Sequence, residues 1–387
     1  MLDLIEALAD DQQELEWGLQ HAAVSLRAGR VLDARGLVSQ VESEVFADPV
    51  KCLQGSPGEP AELVTTRGRW QAGRLEILDL GTLRALAAAR SSATSGRPSY
   101  RLWVLEGRSA PSDIGALQAA AADGQLFQVA SQFNCLESPH ERIVPIADYF
   151  MDRTQGPRAS ISAFPGAFLR HYAAPGPSGA RFTQTSPGPQ LNLLSAVCSP
   201  GVAEVRGGYL RFDTIPDTGE FARRLTEHLD RICVGLHRGI EVVFGHDWAG
   251  EVPRTPAPRI SQVFTSTLAA GGYSRVDWDA PECARICRQL QRAAYLGTLL
   301  AAAATGAQRV VLTMIGGGAF DNPYPVIWEA IQWALEESRP FLQGVTTVVL
   351  NGRGITANLP MEELLGACRS SQGGLIVCDD SAFRVVR

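Results

Sequence analysis

Three consecutive glycines, Gly316-Gly317-Gly318, stand between a strand-like run, Arg309 to Ile315, and a segment that reads as a helix from about Pro325. Without a Cβ, such a loop lets backbone N–H groups approach a ligand, and the unpaired N–H groups and dipole of the following helix favour an anion. That is the chemistry of a phosphate cradle. The continuation Ala319-Phe320-Asp321-Asn322-Pro323 adds an aromatic face and a polar amide where a sugar would lie beside phosphates. The pattern favours a sugar-nucleotide site over an unliganded tight turn, which draws on the same glycines.

A second constellation is Gln128 to Asn134, where a strand runs into a polar loop carrying Ser131, Gln132 and Asn134. An amide at a strand end can both donate to and accept from a ribose hydroxyl, and it can equally cap its own loop. A third, Asp152-Arg153-Thr154-Gln155-Gly156-Pro157, is a polar turn with a carboxylate and an amide. The carboxylates available as a general base are Asp247, Glu241 and Asp152, and each can also sit on a solvated surface or cap a turn. Asp247 ranks first because the GHDW segment lies between the Glu241 run and a proline-rich loop. Cys135 has no assignable histidine partner, so packing is its expected role.

These loops need elements to hold them. From about residue 99 the chain alternates strand-like Tyr100–Leu105, helical Ser112–Ala122 and strand-like Leu126–Ser131, an α/β pattern. Further strands are expected at 241–244, 260–265, 309–315 and 346–350. Helices are expected at about 218–236, 280–304, 325–338 and 360–370, the second with Asp279 as N-cap, Pro281 in its first turn and Glu282 beside it. Residues 1 to about 53 show helical periodicity, and the punctuated stretches 54–68 and 91–98 read as connectors. The expected organisation is a helical N-terminal region over 1–98 and an α/β domain over 99–387. PRTPAP, from Pro253 to Pro258, is too proline-rich for either periodic element and reads as a stiff loop.

With 387 residues, 45% hydrophobic and 20% charged, the chain is globular and long enough for a large core. Its net charge of -6 offers no basic excess for nucleic acid. No run reaches the ~20 apolar residues of a membrane span, and the acidic N-terminus lacks the basic region of a secretory signal, so a cytoplasmic location is expected. The eight cysteines form no CxxC pair and lie outside metal-ligand spacing of any histidine, so reduced thiols and no metal are expected. Cys283 and Cys287 share a helix face and read as buried small hydrophobes.

The segments SQFNCLESP (131–139), YFMDRTQGP (149–157), FLRHY (168–172), ISQVFTSTL (260–268), AAYLGTLLAA (293–302) and VLTMIGGGAFDNP (311–323) together resemble a macrodomain-like family. They occur in the family's order over roughly 125–325 and are similar to the MavL-type ADP-ribosylhydrolases, bacterial effectors that remove ADP-ribose from protein side chains. The resemblance implies a mixed sheet between helices with ADP-ribose across its crest, as ligand or product and without a cofactor. It gives the distal ribose to Asn134, with Gln132, Gln155 and Gly156 alongside. The diphosphate falls to Gly316, Gly317 and Gly318, followed by Ala319, Phe320 and Asn322 among the ligand-binding residues. It further implies an ADP-ribosylated protein as partner, ubiquitin-like proteins among the candidates, arginine as the modified residue, and delivery into another cell if the protein is an effector.

Two positions depart from the family pattern. Asp321 stands where a glycine is usual, and Gly239 falls where the family carries an aspartate. They leave a second reading open: a module that binds ADP-ribose or a related NAD metabolite without turnover. A Rossmann dinucleotide enzyme is disfavoured, since no GxGxxG follows an early strand.

Overall fold

The computed structural model describes residues 33–56, 58–92, 99–108, 112–176, 179–245, 248, 256–342, 345–378 and 383–387. Its central feature is a sheet of eleven strands. In chain order these are β1 (Leu53–Gln54), β2 (Ala61–Thr65), β3 (Gly68–Asp79), β4 (Ser99–Glu106), β5 (Leu126–Ala130), β6 (Cys233–Glu241), β7 (Arg259–Thr265), β8 (Arg309–Thr313), β9 (Val345–Asn351), β10 (Gly374–Cys378) and β11 (Phe383–Val386). The spatial order is β1-β2-β3-β6-β7-β5-β8-β9-β4-β10-β11.

The middle six, β7-β5-β8-β9-β4-β10, run parallel, and the flanking strands are antiparallel. Sequence explains the difference. Leu102–Leu105, Leu126–Val129, Val310–Leu312 and Val348–Leu350 are buried without alternation, as parallel strands covered on both faces must be. In β2, Ala61 and Leu63 are buried while their neighbours are partly exposed, the period-2 pattern of an antiparallel edge region.

The helices are α1 (Ala34–Ala47), α2 (Pro49–Cys52), α3 (Leu80–Ser91), α4 (Ile114–Ala119), α5 (Gln155–Ser162), α6 (Phe164–Tyr172), α7 (Thr218–Glu227), α8 (Pro281–Thr305), α9 (Tyr324–Ser338) and α10 (Met361–Ser370). Gln128 of β5 donates to Thr298 of α8, whereas Gln262 of β7, paired with Phe127, donates to Ala159 of α5. Successive side chains point to opposite faces, so α8 and α5 cover opposite sides of the sheet. This is the α/β architecture expected, a mixed sheet between helices. The alanine-rich part of α8 is buried in the main core, and no described helix is long and apolar enough to cross a membrane.

Several expectations need correction. The helix expected over 218–236 stops at Glu227, and β6 occupies 233–241 where a strand was expected only at 241–244. Val234, Leu236 and Ile240 alternate at strand spacing and pair with β3 and β7, so tertiary pairing overrides the helical appearance. The N-cap of α8 is Ala280, not Asp279, and Pro281 takes the first helical position. Residues 53–79, expected within a helical region and connector, supply β1–β3 to the same sheet, and α1 packs with α6 and β2 in a second core. Most of the segment preceding α1, the break at 93–98 and residues 253–255 of the proline-rich loop lie outside the described residues.

Candidate active site

Two loops at the C-terminal ends of adjacent strands face one another. After β5 the chain enters 131–138, a tight polar loop closed by its own side chains. Gln132 accepts from Ser138 N (3.1 Å) and donates back to Ser138 O (2.9 Å), while Asn134 Oδ1 accepts from Leu136 N (3.0 Å). Cys135 between them has a positive φ of 64°. This geometry turns Glu137 back under the strand end, where it is only 2% exposed.

Burial pushes the Glu137 carboxyl up to about 8, with Asp152 adding to the rise and Arg170, Ser131 and Ser160 opposing it. Ser160 of α5 donates to Glu137 Oε1 (3.3 Å), and Arg170 of α6 donates to Ser160 Oγ (2.9 Å). The Arg170 guanidinium is fully buried, lies 3.8 Å from the centroid of the Phe264 ring, and donates to Cys135 O (3.0 Å). Its remaining contact is His237 Nδ1 at 3.2 Å, and His237 Nε2 lies 2.7 Å from Ala72 O. Only a proton on Nε2 satisfies both, so His237 is neutral; burial and then the neighbouring guanidinium hold its pKa well below the ordinary value. Burial lowers Arg170 only to about 10, which leaves it charged at neutral pH.

Gly156, at the start of α5, is required here. A Cβ would sit 2.1 Å from Ala130 O and 2.5 Å from Glu137 Oε2, so the helix end can lie against the carboxyl only as glycine. Gln155 accepts from Ile114 N (3.1 Å), and Asp152 accepts from Thr154 N (2.8 Å), which shapes the turn before the helix.

The facing wall is the glycine loop after β8. Gly316 has φ 76°, and a Cβ there would meet Thr267 Cγ2 at 2.5 Å. Asn322 closes the loop: its N–H donates to Gly316 O, its Nδ2 to Leu268 O and Phe320 O, and its Oδ1 accepts from Thr267 and Gln291. From α8, Gln291 also donates to Ile315 O, and Tyr295 bridges Thr313 O and Ile315 N. The Gly317 N–H is spent on Met314 O. No described residue accepts from the N–H groups of Gly316, Gly318, Ala319 or Phe320. They are the donors an anion would need.

Between the walls lies a cavity of about 350 Å³. Of the residues expected to form the site, Asp152, Gln132, Gln155, Gly156, Gly316, Gly318, Ala319 and Phe320 line it. Phe320 meets Tyr273 edge-on at 5.1 Å, and Tyr209 stacks on Tyr273 at 5.1 Å, which gives the cavity an aromatic corner. Asn134, Gly317, Asn322 and Glu241 are not among the lining residues. Asn134 donates to Gln190 and accepts from Leu136 N, Asn322 is fully engaged in holding its loop, a Cβ at Gly317 would face Tyr324 and Ile327, and the Glu241 carboxylate accepts from Gln71 N. Asp247 lies outside the described residues. Asp321, the departure nearest the glycines, is also outside the lining and holds φ 48°, the conformation for which glycine is usual.

Sequence reasoning passed over Glu137, although it sits inside SQFNCLESP. The available signal was a carboxylate three residues beyond Asn134 in a loop leaving a buried strand. Among the described residues, no group of His, Cys, Asp and Glu is placed to hold a metal ion.

No protein-family model matches the chain, and no curated protein matches it. Among solved structures it is similar to poly(ADP-ribose) glycohydrolase from Thermomonospora curvata, at 16% identity over 82% of this chain and 92% of that one, with a TM-score of 0.43. It is also similar to poly(ADP-ribose) glycohydrolase from Deinococcus radiodurans in complex with ADP-ribose, at 14% identity over 77% and 93%, with a TM-score of 0.39. Likeness of this degree says nothing of activity, which has to come from the residues of the site.

Proposed function

We propose that this protein hydrolyses the bond between C1 of a protein-linked ADP-ribose and the side chain that carries it, with arginine as the modified residue. One observation carries the reading: a single cavity sets a buried carboxyl, Glu137, and a second carboxylate, Asp152, opposite a loop of unused backbone N–H groups. The order of motifs from SQFN to GGGAF supports the same ligand.

In this reading the N–H groups of Gly316, Gly318, Ala319 and Phe320 hold the diphosphate, and the dipole of α5 adds positive potential beside it. The distal ribose lies between Gln155-Gly156 and the Phe320 corner, which brings C1 to the carboxyl wall. With its pKa near 8, Glu137 is protonated at neutral pH and gives its proton to the departing side-chain nitrogen as the C1–N bond breaks. Asp152 stabilises the oxocarbenium-like carbon and takes a proton from the water that adds to it. Arg170, acting through Ser160, keeps Glu137 aimed into the cavity.

The N-terminal region is suited to present the modified protein, because α1 is tied to the segment leading to Asp152. Buried Glu42 accepts from Ile146 N, Ala147 N and Tyr172 Oη.

The test is release of free ADP-ribose from an arginine-ADP-ribosylated protein, followed with Glu137→Gln, Asp152→Ala and Asp247→Ala variants. Release by the wild type that is lost in Glu137→Gln supports the mechanism. Tight ADP-ribose binding with no release from any modified side chain would establish the non-catalytic binding module instead.

A further inference from the structure

The cavity continues past the diphosphate loop to the ends of β9 and β4, where its chemistry changes sign. Asn351, Arg353 and Arg108 line this end. Neither arginine has a carboxylate partner among the described residues, since the nearby Asp113 carboxylate is already held by Arg158. Arg108 Nε donates to Arg353 O (3.1 Å) and one Arg353 nitrogen donates to Ser112 Oγ (3.2 Å), and the other guanidinium N–H groups have no acceptor among the described residues. Burial, together with repulsion from Arg158 and Arg108, lowers the pKa of Arg353 against the pull of Asp113. Arg353 also holds φ 41°, a conformation that a long side chain rarely adopts. The turn keeps a half-buried, unneutralised cation in place.

A second observation points to a ligand. Asn351 is 2% exposed and its Nδ2 donates to Ser112 O (2.8 Å), which fixes the amide's orientation because that partner can only accept. Its Oδ1 is buried without a donor among the described residues. A buried acceptor left unpaired is costly, and one that lines a cavity is matched by a ligand N–H or O–H.

Strand order sets the spacing. The carboxyls stand at the end of β5, the glycine loop at β8, Asn351 at β9 and Arg108 at β4, each about 4.8 Å from the next. The glycine loop and Arg108 are therefore about 10 Å apart, beyond the reach of one diphosphate. With C1 at Glu137 and the diphosphate at Gly318, the nucleoside lies over Asn351, and the arginines meet whatever its ribose carries.

Building on the hydrolase reading, we propose that the Arg108–Arg353 end is a subsite for a phosphate ester on the nucleoside ribose. The protein then favours an ADP-ribosyl group phosphorylated on its adenosine over the unphosphorylated group.

Calorimetry with ADP-ribose and ADP-ribose 2′-phosphate tests this on the full chain. The expected result is at least tenfold tighter binding of the phosphorylated ligand, with the ratio of the two affinities falling to within twofold in an Arg108→Met/Arg353→Met variant. Should the double variant fail to fold, Arg108→Met alone, at an exposed position, is expected to reduce the ratio at least threefold. Equal or weaker binding of the phosphorylated ligand by the wild type overturns the subsite and leaves the hydrolase reading standing. A ratio unchanged in the variants also overturns it. If neither ligand binds, the hydrolase reading fails and the subsite with it.

Discussion

The two walls of the cavity are built on opposite principles. The 131–138 wall works through side chains: Glu137 is buried, its pKa is set by burial against Arg170, and its position depends on Ser160, Gly156 and the Cys135 carbonyl. The 316–322 wall works through backbone: its donors are N–H groups, and its side chains, chiefly Asn322, serve to hold that backbone in place. A side-chain wall is broken by removing atoms. A backbone wall is broken by adding them.

Substitutions on the two walls are therefore expected to differ in kind and in size. The largest effect is expected from Glu137→Gln, which keeps the shape and removes the transferable proton: turnover should fall by about 10³-fold with ADP-ribose affinity little changed. The same proton gives the wild type a pH signature. Glu137 is protonated below about 8, so turnover should decline as pH rises through that value, and a profile flat from pH 6 to 9 would remove it as the acid.

The stability signature has a definite sign. The folded pKa of about 8 exceeds that of an unfolded glutamate, about 4.3, so the native state holds the extra proton between these values and stability falls as pH rises across that window. Glu137→Gln escapes the loss. Relative to wild type, the variant should gain on going from pH 4 to pH 8 by at most about 5 kcal/mol, readable from denaturant unfolding.

Arg170→Met strips the charge from the same wall. It should cost about 3 kcal/mol of stability by leaving His237, Ser160 and the Cys135 carbonyl without their donor, and should raise the Glu137 pKa further. An unchanged carboxyl titration in a folded Arg170→Met protein would separate the arginine from the acid.

On the opposite wall, Gly318→Glu should weaken ADP-ribose binding at least 100-fold, about 2.7 kcal/mol, with the circular dichroism spectrum intact. Nothing lies within 4 Å of a Cβ at Gly318, so the fold has room for the side chain while the anion does not. The smallest change is expected from Asn322→Ala, which loosens the brace and should cost about 1–2 kcal/mol of stability and a few-fold in affinity. If Asn322→Ala proves more damaging to turnover than Glu137→Gln, the division between a side-chain wall and a backbone wall is wrong.

Much of this arrangement was readable from local pattern. Strand-like runs marked β4, β5, β8 and β9, their alternation with helical segments marked an α/β sheet, and the glycines after β8 marked a loop where backbone could be exposed to an anion. Gln155, Gly156 and Asp152 were recognised as a polar turn and do line the cavity. What local pattern could not supply was the direction of each polar side chain. Asn134 and Asn322 have the composition of ligand-binding amides, and the tertiary structure commits both to holding loops.

Glu137 shows the converse. Its place three residues beyond Asn134 marks a loop carboxylate and no more, because its pKa follows from burial beneath β5 and from Arg170, 33 residues further along the chain. The β6 strand was missed for a related reason: it pairs along one edge with β3, which is remote in sequence. Residue type at short range set the strand runs of β4, β5, β8 and β9 and the place where the backbone is free of side chains. Which carboxyl is buried, which amide is spent and which arginine stays unpaired were decided only when distant segments packed, because desolvation and charge pairing depend on three-dimensional neighbours.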